Sequence, residues 1–126
     1  MRIAFDARSY FMRTRIARYT RGLAHALAAS PGPHEWLFVI SDHHQPAEID
    51  FGSSEVEVRQ SHAPWLGGAA ERDMLASEVS AWGADVFHAV FPPQALTGVP
   101  TASAMSDEYY RRVVRRPELQ FGHRRN

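Results

Sequence analysis

The 126-residue chain contains no cysteine, which excludes both a disulfide framework and a metal site built on thiolates. It also contains no lysine, so all of its positively charged side chains other than histidine are arginines. No apolar run approaches the roughly 20 residues that a helix needs to span a bilayer. Met1-Arg2 leads directly into an apolar strand pattern, which is not typical of a signal peptide. We therefore predict a cytoplasmic protein, in keeping with the absence of cysteine.

The composition that remains is typical of one globular domain. Apolar residues make up 44% of the chain, and a chain of this length can bury a core without covalent staples. The net charge is zero, but six of the 14 basic residues lie between Arg111 and Arg125, where Glu118 is the only acid. We predict a domain over residues 1–105 and a basic extension over residues 106–126 that is helical from about Asp107 to Arg115 or partly disordered.

The arginine-rich extension has three interpretations: contact with anionic lipid, contact with nucleic acid, or simple solvation. Tyr109 and Tyr110 beside Arg111 and Arg112 suit a membrane interface, so peripheral membrane contact is one expectation. The neutral body and the lack of a recognition motif argue against nucleic acid. A solvated tail is the simplest of the three interpretations.

The first thirty residues carry the clearest pattern. Arg2 to Ala7 predicts a buried strand, residues 8–14 a polar loop, and Arg15 to Ala29 an amphipathic helix with Thr14 as its N-cap. Strand, loop and helix in this order open a doubly wound α/β domain, and the loop and helix N-terminus then face the ligand crevice. The predicted apolar face of the helix consists of Ile16, Tyr19, Leu23 and Leu27.

Later segments continue the alternation of strands and helices. We predict strands over Trp36 to Ile40, around Val56 and Val58 at a sheet edge, over Asp85 to Phe91 and over Val99 to Ala102, with a helix over Ala69 to Trp82. The apolar residues of that helix are Met74, Leu75, Val79 and Trp82. No crossover helix can be placed between Gln45 and Gly68. The predicted fold is a single α/β domain, Rossmann-like and doubly wound, with a mainly parallel sheet and helices on both faces.

Several short motifs, taken in order, resemble the N-terminal domain of bacterial family-four retaining glycosyltransferases. The first strand ends in Asp-Ala-Arg, and an Arg-Thr-Arg-Ile-Ala-Arg-Tyr sequence opens the following helix. An Ala-Asp-Val-Phe-His strand and a Gly-Val-Pro-Thr segment resemble later elements of the family, as does a Pro-Glu pair near the end. These motifs lie at residues 6–8, 13–19, 84–88, 98–101 and 117–118.

The resemblance implies half of a glycosyltransferase B fold, in which two Rossmann-like domains face each other across a cleft. The N-terminal domain of that fold mainly holds the acceptor, and the C-terminal domain mainly holds the nucleotide-sugar. It further implies a transferase of polysaccharide biosynthesis that needs neither a metal nor another cofactor. The expected acceptor is a glycan, a lipid or a small molecule, and the expected activity of this chain alone is little or none.

Three departures from the family pattern bear on this expectation. The family has glycines where this chain has Arg15 and Ala17, and a side chain there obstructs close approach of a phosphate to the backbone. The family has His-Asp where this chain reads Ser106-Asp107, and the usual histidine contacts the reacting sugar. No donor-side domain is included in the sequence. The rival hypothesis is a non-catalytic Rossmann-like binding or assembly module that dimerises through a sheet edge.

Charged residues near the predicted crevice have two interpretations each. Arg15 and Arg18, together with Arg13, either bind a phosphate of a nucleotide-sugar or lipid-linked acceptor, or form a solvated helix face. Asp6 either orients an acceptor hydroxyl or caps the loop that follows it. Asp107 is the candidate catalytic carboxylate and Ser106 a candidate substrate contact, although Asp107 equally suits a helix N-cap.

Two further residues complete the candidate set. Trp65 either stacks on a sugar from a mobile loop or closes the edge of the core. His88 lies within an apolar strand, as a core or strand-end histidine with a hydrogen-bond partner or as a catalytic base. The adjacent His43 and His44 lack a third ligand at a recognisable spacing, so no metal site is expected. Gly67-Gly68 is not followed by Lys-Ser or Lys-Thr and is therefore not a phosphate loop.

Overall fold

A computed structural model describes residues 1–52, 55–90 and 95–103 of the chain. Strands and helices alternate through most of this range, as the sequence predicts. The bounds of the two predicted helices within this range are reproduced, and the predicted strand ends shift by one or two residues. The elements are β1 (Arg2–Asp6), α1 (Arg15–Ala29), β2 (Glu35–Ser41), a 3-10 helix (Pro46–Glu48), β3 (Val56–Ser61), α2 (Ala69–Trp82), β4 (Val86–Ala89) and β5 (Thr101–Ser103).

The five strands form one sheet in the order β3-β2-β1-β4-β5, and every neighbouring pair is parallel. β1 lies at the centre, where Phe5 is in register with Phe38 of β2 on one side and with His88 of β4 on the other. From β1 the chain first builds outward through β2 and β3, and then crosses back to add β4 and β5. The expectation of a parallel, Rossmann-like α/β sheet is confirmed, and its order reverses between β1 and β4.

Each face of the sheet is covered by one helix. Alternate strand residues form two cores, one beneath α1 around Phe5 and Phe38, and one beneath α2 around Leu37 and Phe87. Because successive side chains of a strand point to opposite faces, the two helices lie on opposite sides of the sheet. The prediction of helices on both faces is therefore confirmed.

The predicted apolar face of α1 is wrong in part. Ile16 is buried and Leu23 and Leu27 pack against the core, but Tyr19 is 49% exposed. Small side chains let α1 lie close to the sheet, whereas a phenol ring would hold the helix away from it. The buried residues of α1 are Ile16, Ala17, Thr20, Ala24 and Ala28.

The ends of both helices follow local chemistry. Thr14 Oγ1 accepts the Ala17 N–H at 2.9 Å, which confirms the predicted N-cap of α1. Gly83 has φ +91° and ends α2 in the left-handed conformation, as glycine does at this position. The predicted apolar set of α2 is wrong at Met74, which is 41% exposed, while Glu71 is buried in the first turn.

The connection from β2 to β3 explains why no crossover helix could be placed there. Its described part holds only the 3-10 helix, followed by Ile49 and Phe51, which pack against the α1-side core. The rings of Phe51 and Phe38 meet edge to face, with centroids 5.0 Å apart. Two apolar side chains on a loop thus cover sheet surface that a helix covers in a longer crossover.

The predicted strands differ from the structure at their ends, and β2 is one residue longer at each end than predicted. β1 ends at Asp6 rather than Ala7, and β4 covers only Val86–Ala89 of the strand predicted to reach Phe91. β5 begins at Thr101, after Pro100, rather than at Val99. Residues 91–94 and 104–126 lie outside the described residues, and with them the predicted helix, the basic extension, Ser106 and Asp107. Within the part of the chain that the structure describes, no helix has the length and apolarity needed to cross a membrane.

Candidate functional site

The carboxyl ends of β1 and β4 are adjacent at the point where the strand order reverses. The loop after β1 and the N-terminus of α1 follow directly from this edge, and the N-terminus of α2 reaches it because Glu71 meets Arg8 there. In open α/β sheets ligands bind in the crevice outside such a reversal. We take this edge as the candidate site.

Asp6 and Arg8 form a closed pair at the end of β1. The Arg8 guanidinium donates from Nε to Asp6 Oδ1 at 2.8 Å and from Nη2 to Oδ2 at 2.9 Å. The Arg8 backbone N–H also donates to Oδ1, at 3.1 Å. Both Asp6 oxygens are thus engaged by Arg8, and the carboxylate caps the start of the loop, which is one of its two predicted roles. Because Arg8 engages both of its oxygens, the Asp6 carboxylate has no oxygen left open to a hydroxyl of a bound molecule.

Glu71 of α2 completes a buried cluster with this pair. Its Oε2 lies 2.7 Å from Arg8 Nη1, and the side chains of both residues are 2% exposed. Burial by itself would lower the pKa of Arg8, but the charges and hydrogen bonds of Asp6 and then Glu71 raise it above the ordinary value. Arg8 therefore stays charged between two carboxylates. Taken as fully ionised, the cluster has a net charge of −1, because two carboxylates flank one guanidinium.

The second oxygen of the Glu71 carboxylate, Oε1, lacks a hydrogen-bond donor. It is buried and accepts no hydrogen bond from any described residue. Glu71 is the third residue of α2, a position from which glutamate commonly reaches back to cap its own helix. Here the carboxylate turns to Arg8 instead, and Gly68 provides α2 with no side-chain cap. Sequence reasoning missed the role of Glu71, because an acid in a first helical turn is ordinarily a solvated residue that favours the helix dipole.

Trp65 covers the cluster from the loop before α2. The Arg8 Cζ atom lies 4.9 Å from the centroid of the Trp65 ring, a cation–π contact. Trp65 is half-buried and packs against the α1-side core. The loop is conformationally constrained, since Leu66 has φ +57°, a left-handed value that costs a non-glycine residue about 1 kcal/mol. The predicted contact of Trp65 with the core edge is thus present, and sugar stacking stays a prediction.

The N-terminus of α1 presents free cationic groups on the same edge. Arg15 and Arg18 are exposed, and α1 has no acidic residue in its first turn. Within the described residues their guanidinium groups form no ion pair or hydrogen bond, and the same holds for the exposed Arg13. Thr14 Oγ1 already accepts a hydrogen bond from the Ala17 N–H. An anion at this end of α1 would therefore contact the arginine side chains and the remaining N–H groups of the first turn.

His88 lies on the opposite face of the sheet from the Asp6–Arg8–Glu71 cluster. It is in register with Phe5, whose ring it meets edge to face at 5.3 Å between centroids. Burial lowers the pKa of His88. Its Nε2 is buried with no hydrogen-bond partner, so the partner expected of a core histidine is absent at this atom. The structure therefore separates His88 from Asp6, which lies on the α2 side of the sheet.

A cavity of about 530 Å³ lies at the other edge of the sheet, near the amino ends of the strands. None of the predicted site residues lines it. Its walls include Arg2, Glu35 and Trp82, which are already joined to one another: Arg2 Nη1 pairs with Glu35 at 2.5 Å, and the guanidinium covers the Trp82 ring at 4.1 Å. Among the described residues no group of three or more histidine, aspartate or glutamate side chains is placed to hold a metal ion.

Comparisons with known proteins provide no relative from which a function can be transferred. No family model matches the chain, and no curated protein or solved structure matches it at a significant level. The function has to be inferred from the residues at the carboxyl edge of the sheet.

Proposed function

We propose that this chain is the acceptor-side, N-terminal domain of a retaining glycosyltransferase of the glycosyltransferase B fold. The whole enzyme would move a sugar from a nucleotide-sugar to a glycan, lipid or small-molecule acceptor. The observation that carries the proposal is a pair of exposed arginines, Arg15 and Arg18, at the start of the helix that follows the central strand. Their guanidinium groups form no ion pair or hydrogen bond with another described residue. They lie beside the reversal of strand order, where this class of sheet binds its ligands.

Arginine side chains suit the chemistry of this position. A guanidinium offers a planar fork of donors that matches phosphate oxygens, and the α1 dipole adds attraction for an anion. The glycines that the family places in this loop are replaced by Arg15 and Ala17, and Ala17 is buried with its N–H engaged by Thr14. We therefore assign the phosphate contact to the arginine side chains rather than to a glycine backbone.

The proposed reaction also needs a group that stabilises the departing diphosphate. The charge that develops on that leaving group is the main electrostatic demand of the transition state, and in this fold the donor-side domain meets it. The described residues form a single sheet with one helix on each face. Under this proposal they are one side of such a cleft. We therefore expect the 126 residues alone to release little or no sugar from nucleotide-sugars mixed with glycan acceptors, and robust turnover would contradict this expectation.

A titration with inorganic pyrophosphate tests the proposed phosphate contact directly. We expect binding by calorimetry at low ionic strength, and a loss of about tenfold or more in affinity when Arg15→Ala and Arg18→Ala are combined. Added salt should weaken the binding because these cations are exposed.

The matched control for that titration removes an exposed arginine elsewhere. Arg59 lies on β3 and pairs with Glu57, so Arg59→Ala changes the net charge by one without touching the edge near β1. Arg59→Ala should bind pyrophosphate as the unaltered chain does. An equal loss in Arg59→Ala and in the Arg15→Ala/Arg18→Ala double variant would contradict the proposal, as would the absence of binding.

The rival proposal is an assembly module that dimerises through an edge strand. The edge strand β3 carries exposed charges at Glu57 and Arg59, and charges on an edge oppose strand addition. Size-exclusion chromatography with light scattering separates the two proposals. A stable dimer that binds no pyrophosphate would favour the assembly module, and a monomer that binds pyrophosphate would favour the acceptor-side domain.

A further inference from the structure

The strongest unexplained group at the candidate site is the unpartnered oxygen of Glu71. Nearly all buried polar atoms in proteins form hydrogen bonds, so each exception requires a physical reason. Glu71 is 2% exposed, and its Oε2 forms an ion pair with Arg8 Nη1 at 2.7 Å. Among the described residues, neither Oε1 nor Arg8 Nη1 has a hydrogen-bond partner, so the ion pair positions the carboxylate and leaves Oε1 as an open acceptor.

We propose that Glu71 Oε1 accepts a hydrogen bond from a hydroxyl group of the sugar acceptor when that acceptor occupies the crevice at the end of β1. This inference rests on the proposed function and assigns to Glu71 the role that the sequence suggested for Asp6. Asp6 cannot fill that role in this structure, because Arg8 engages both of its oxygens. Glu71 is thus a substrate-binding residue contributed by α2, 65 positions further along the chain.

The surroundings of Oε1 favour a neutral hydroxyl over a cationic group. An ionised carboxylate oxygen is a pure acceptor, so its ligand must donate. The Arg8 guanidinium and the positive end of the α2 dipole already offset part of this carboxylate's charge, so a cationic ligand gains less here than at an unpaired carboxylate. A sugar hydroxyl donates without adding positive charge.

Trp65 supplies the second feature of a carbohydrate site. One part of its ring contacts Arg8, and the side chain is only half-buried, so apolar indole surface remains for the C–H groups of a sugar ring. Oε1 itself is closed to solvent, so a hydroxyl can reach it only if side chains around the cluster, which include Trp65 against Arg8, move aside. Binding at Glu71 is therefore coupled to a change in the environment of Trp65.

The test uses the full chain and simple methyl glycosides as probes. Methyl α-D-glucopyranoside, methyl α-D-mannopyranoside and methyl α-D-galactopyranoside are titrated while the indole N–H of Trp65 is followed by NMR. We expect at least one probe to shift this signal with saturation in the millimolar range. Its fully O-methylated form, which keeps the ring but has no hydroxyl donor, should give no shift.

Glu71→Gln is the decisive variant because it replaces the acceptor oxygen with a donor of the same shape. We expect an affinity loss of about tenfold or more for the glycoside, since hydrogen bonds to charged groups are the stronger class. The melting temperature should stay at or above that of the unaltered chain, because the substitution removes the excess buried charge. Asp73→Asn removes an exposed acid from the same helix and should change neither property.

The outcomes separate this inference from the proposed function. Pyrophosphate affinity is measured on the same samples: Glu71→Gln should leave it intact, and its absence in the unaltered chain would overturn the proposed function alone. The role of Glu71 is overturned by unchanged glycoside binding in Glu71→Gln, by equal losses in Asp73→Asn, or by no glycoside binding at all. It is also overturned if Glu71→Gln loses binding together with several degrees of melting temperature, since that result assigns Glu71 a structural role.

Discussion

Replacing Arg8 by methionine should destabilise the protein more than any change to an exposed ion pair. Arg8→Met keeps much of the side-chain volume but leaves Asp6 and Glu71 as two buried carboxylates without their cation. Removing one partner of a buried ion pair costs about 3–5 kcal/mol. A domain of this kind is stable by only about 5–15 kcal/mol, so the variant should lose a large fraction of its free energy of unfolding. The corresponding fall in melting temperature is roughly 10 °C or more.

Urea unfolding at neutral pH, followed by circular dichroism, measures this loss. The matched control is Arg59→Met, which breaks the exposed pair with Glu57 and should cost less than about 1 kcal/mol. An Arg8→Met variant that is as stable as Arg59→Met would refute the view that Arg8 neutralises a buried cluster.

Two further predictions concern His88 and the loop before α2. Burial lowers the pKa of His88 from its ordinary value of 6.5. The imidazole therefore binds a proton more readily in the unfolded chain than in the folded one. The stability that His88 contributes is complete above pH 6.5 and falls as the pH drops. In His88→Gln, urea titrations at successive pH values should show a shallower fall, and an unchanged slope would contradict the assignment. Gly67→Ala would place a Cβ atom 2.6 Å from Pro64 Cγ and should cost about 1–3 kcal/mol in thermal unfolding. The control is Gly22→Ala, in an open position of α1, which should raise the free energy of unfolding by up to about 1 kcal/mol. If Gly67→Ala melts at the same temperature as Gly22→Ala, the loop is not closely packed.

The parts of the fold that local chemistry controls were predictable from the sequence. α1 and α2 have the predicted bounds because a threonine N-cap, a proline-containing segment after Ser30, and Gly83 mark the ends of their patterns. The order of strands and helices sufficed to predict a parallel sheet with helices on both faces. What local patterns could not supply is which helix residues face the sheet. Tyr19 and Met74 are exposed because α1 and α2 approach the sheet through other positions.

The candidate site was predictable only in outline. Its position at the end of β1 follows from the β–loop–α pattern, and Arg15 and Arg18 lie where that pattern places them. The partnership of Arg8 with Glu71 joins residues 63 positions apart, and nothing in the spacing of either one signals it. Asp6 ends β1 and Arg8 lies two residues further along in the loop, and this acid–arginine spacing was the available signal for a closed pair.

The central claim is that an anionic ligand binds at the carboxyl edge of the sheet beside β1. A map of backbone amide shifts by two-dimensional NMR, recorded with and without inorganic pyrophosphate, tests this claim most directly. We expect the largest amide shifts on addition of pyrophosphate in residues 13–18, around the exposed Arg15 and Arg18. Shifts confined to the amino edge around Arg2, or no saturable shifts in residues 13–18, would contradict it.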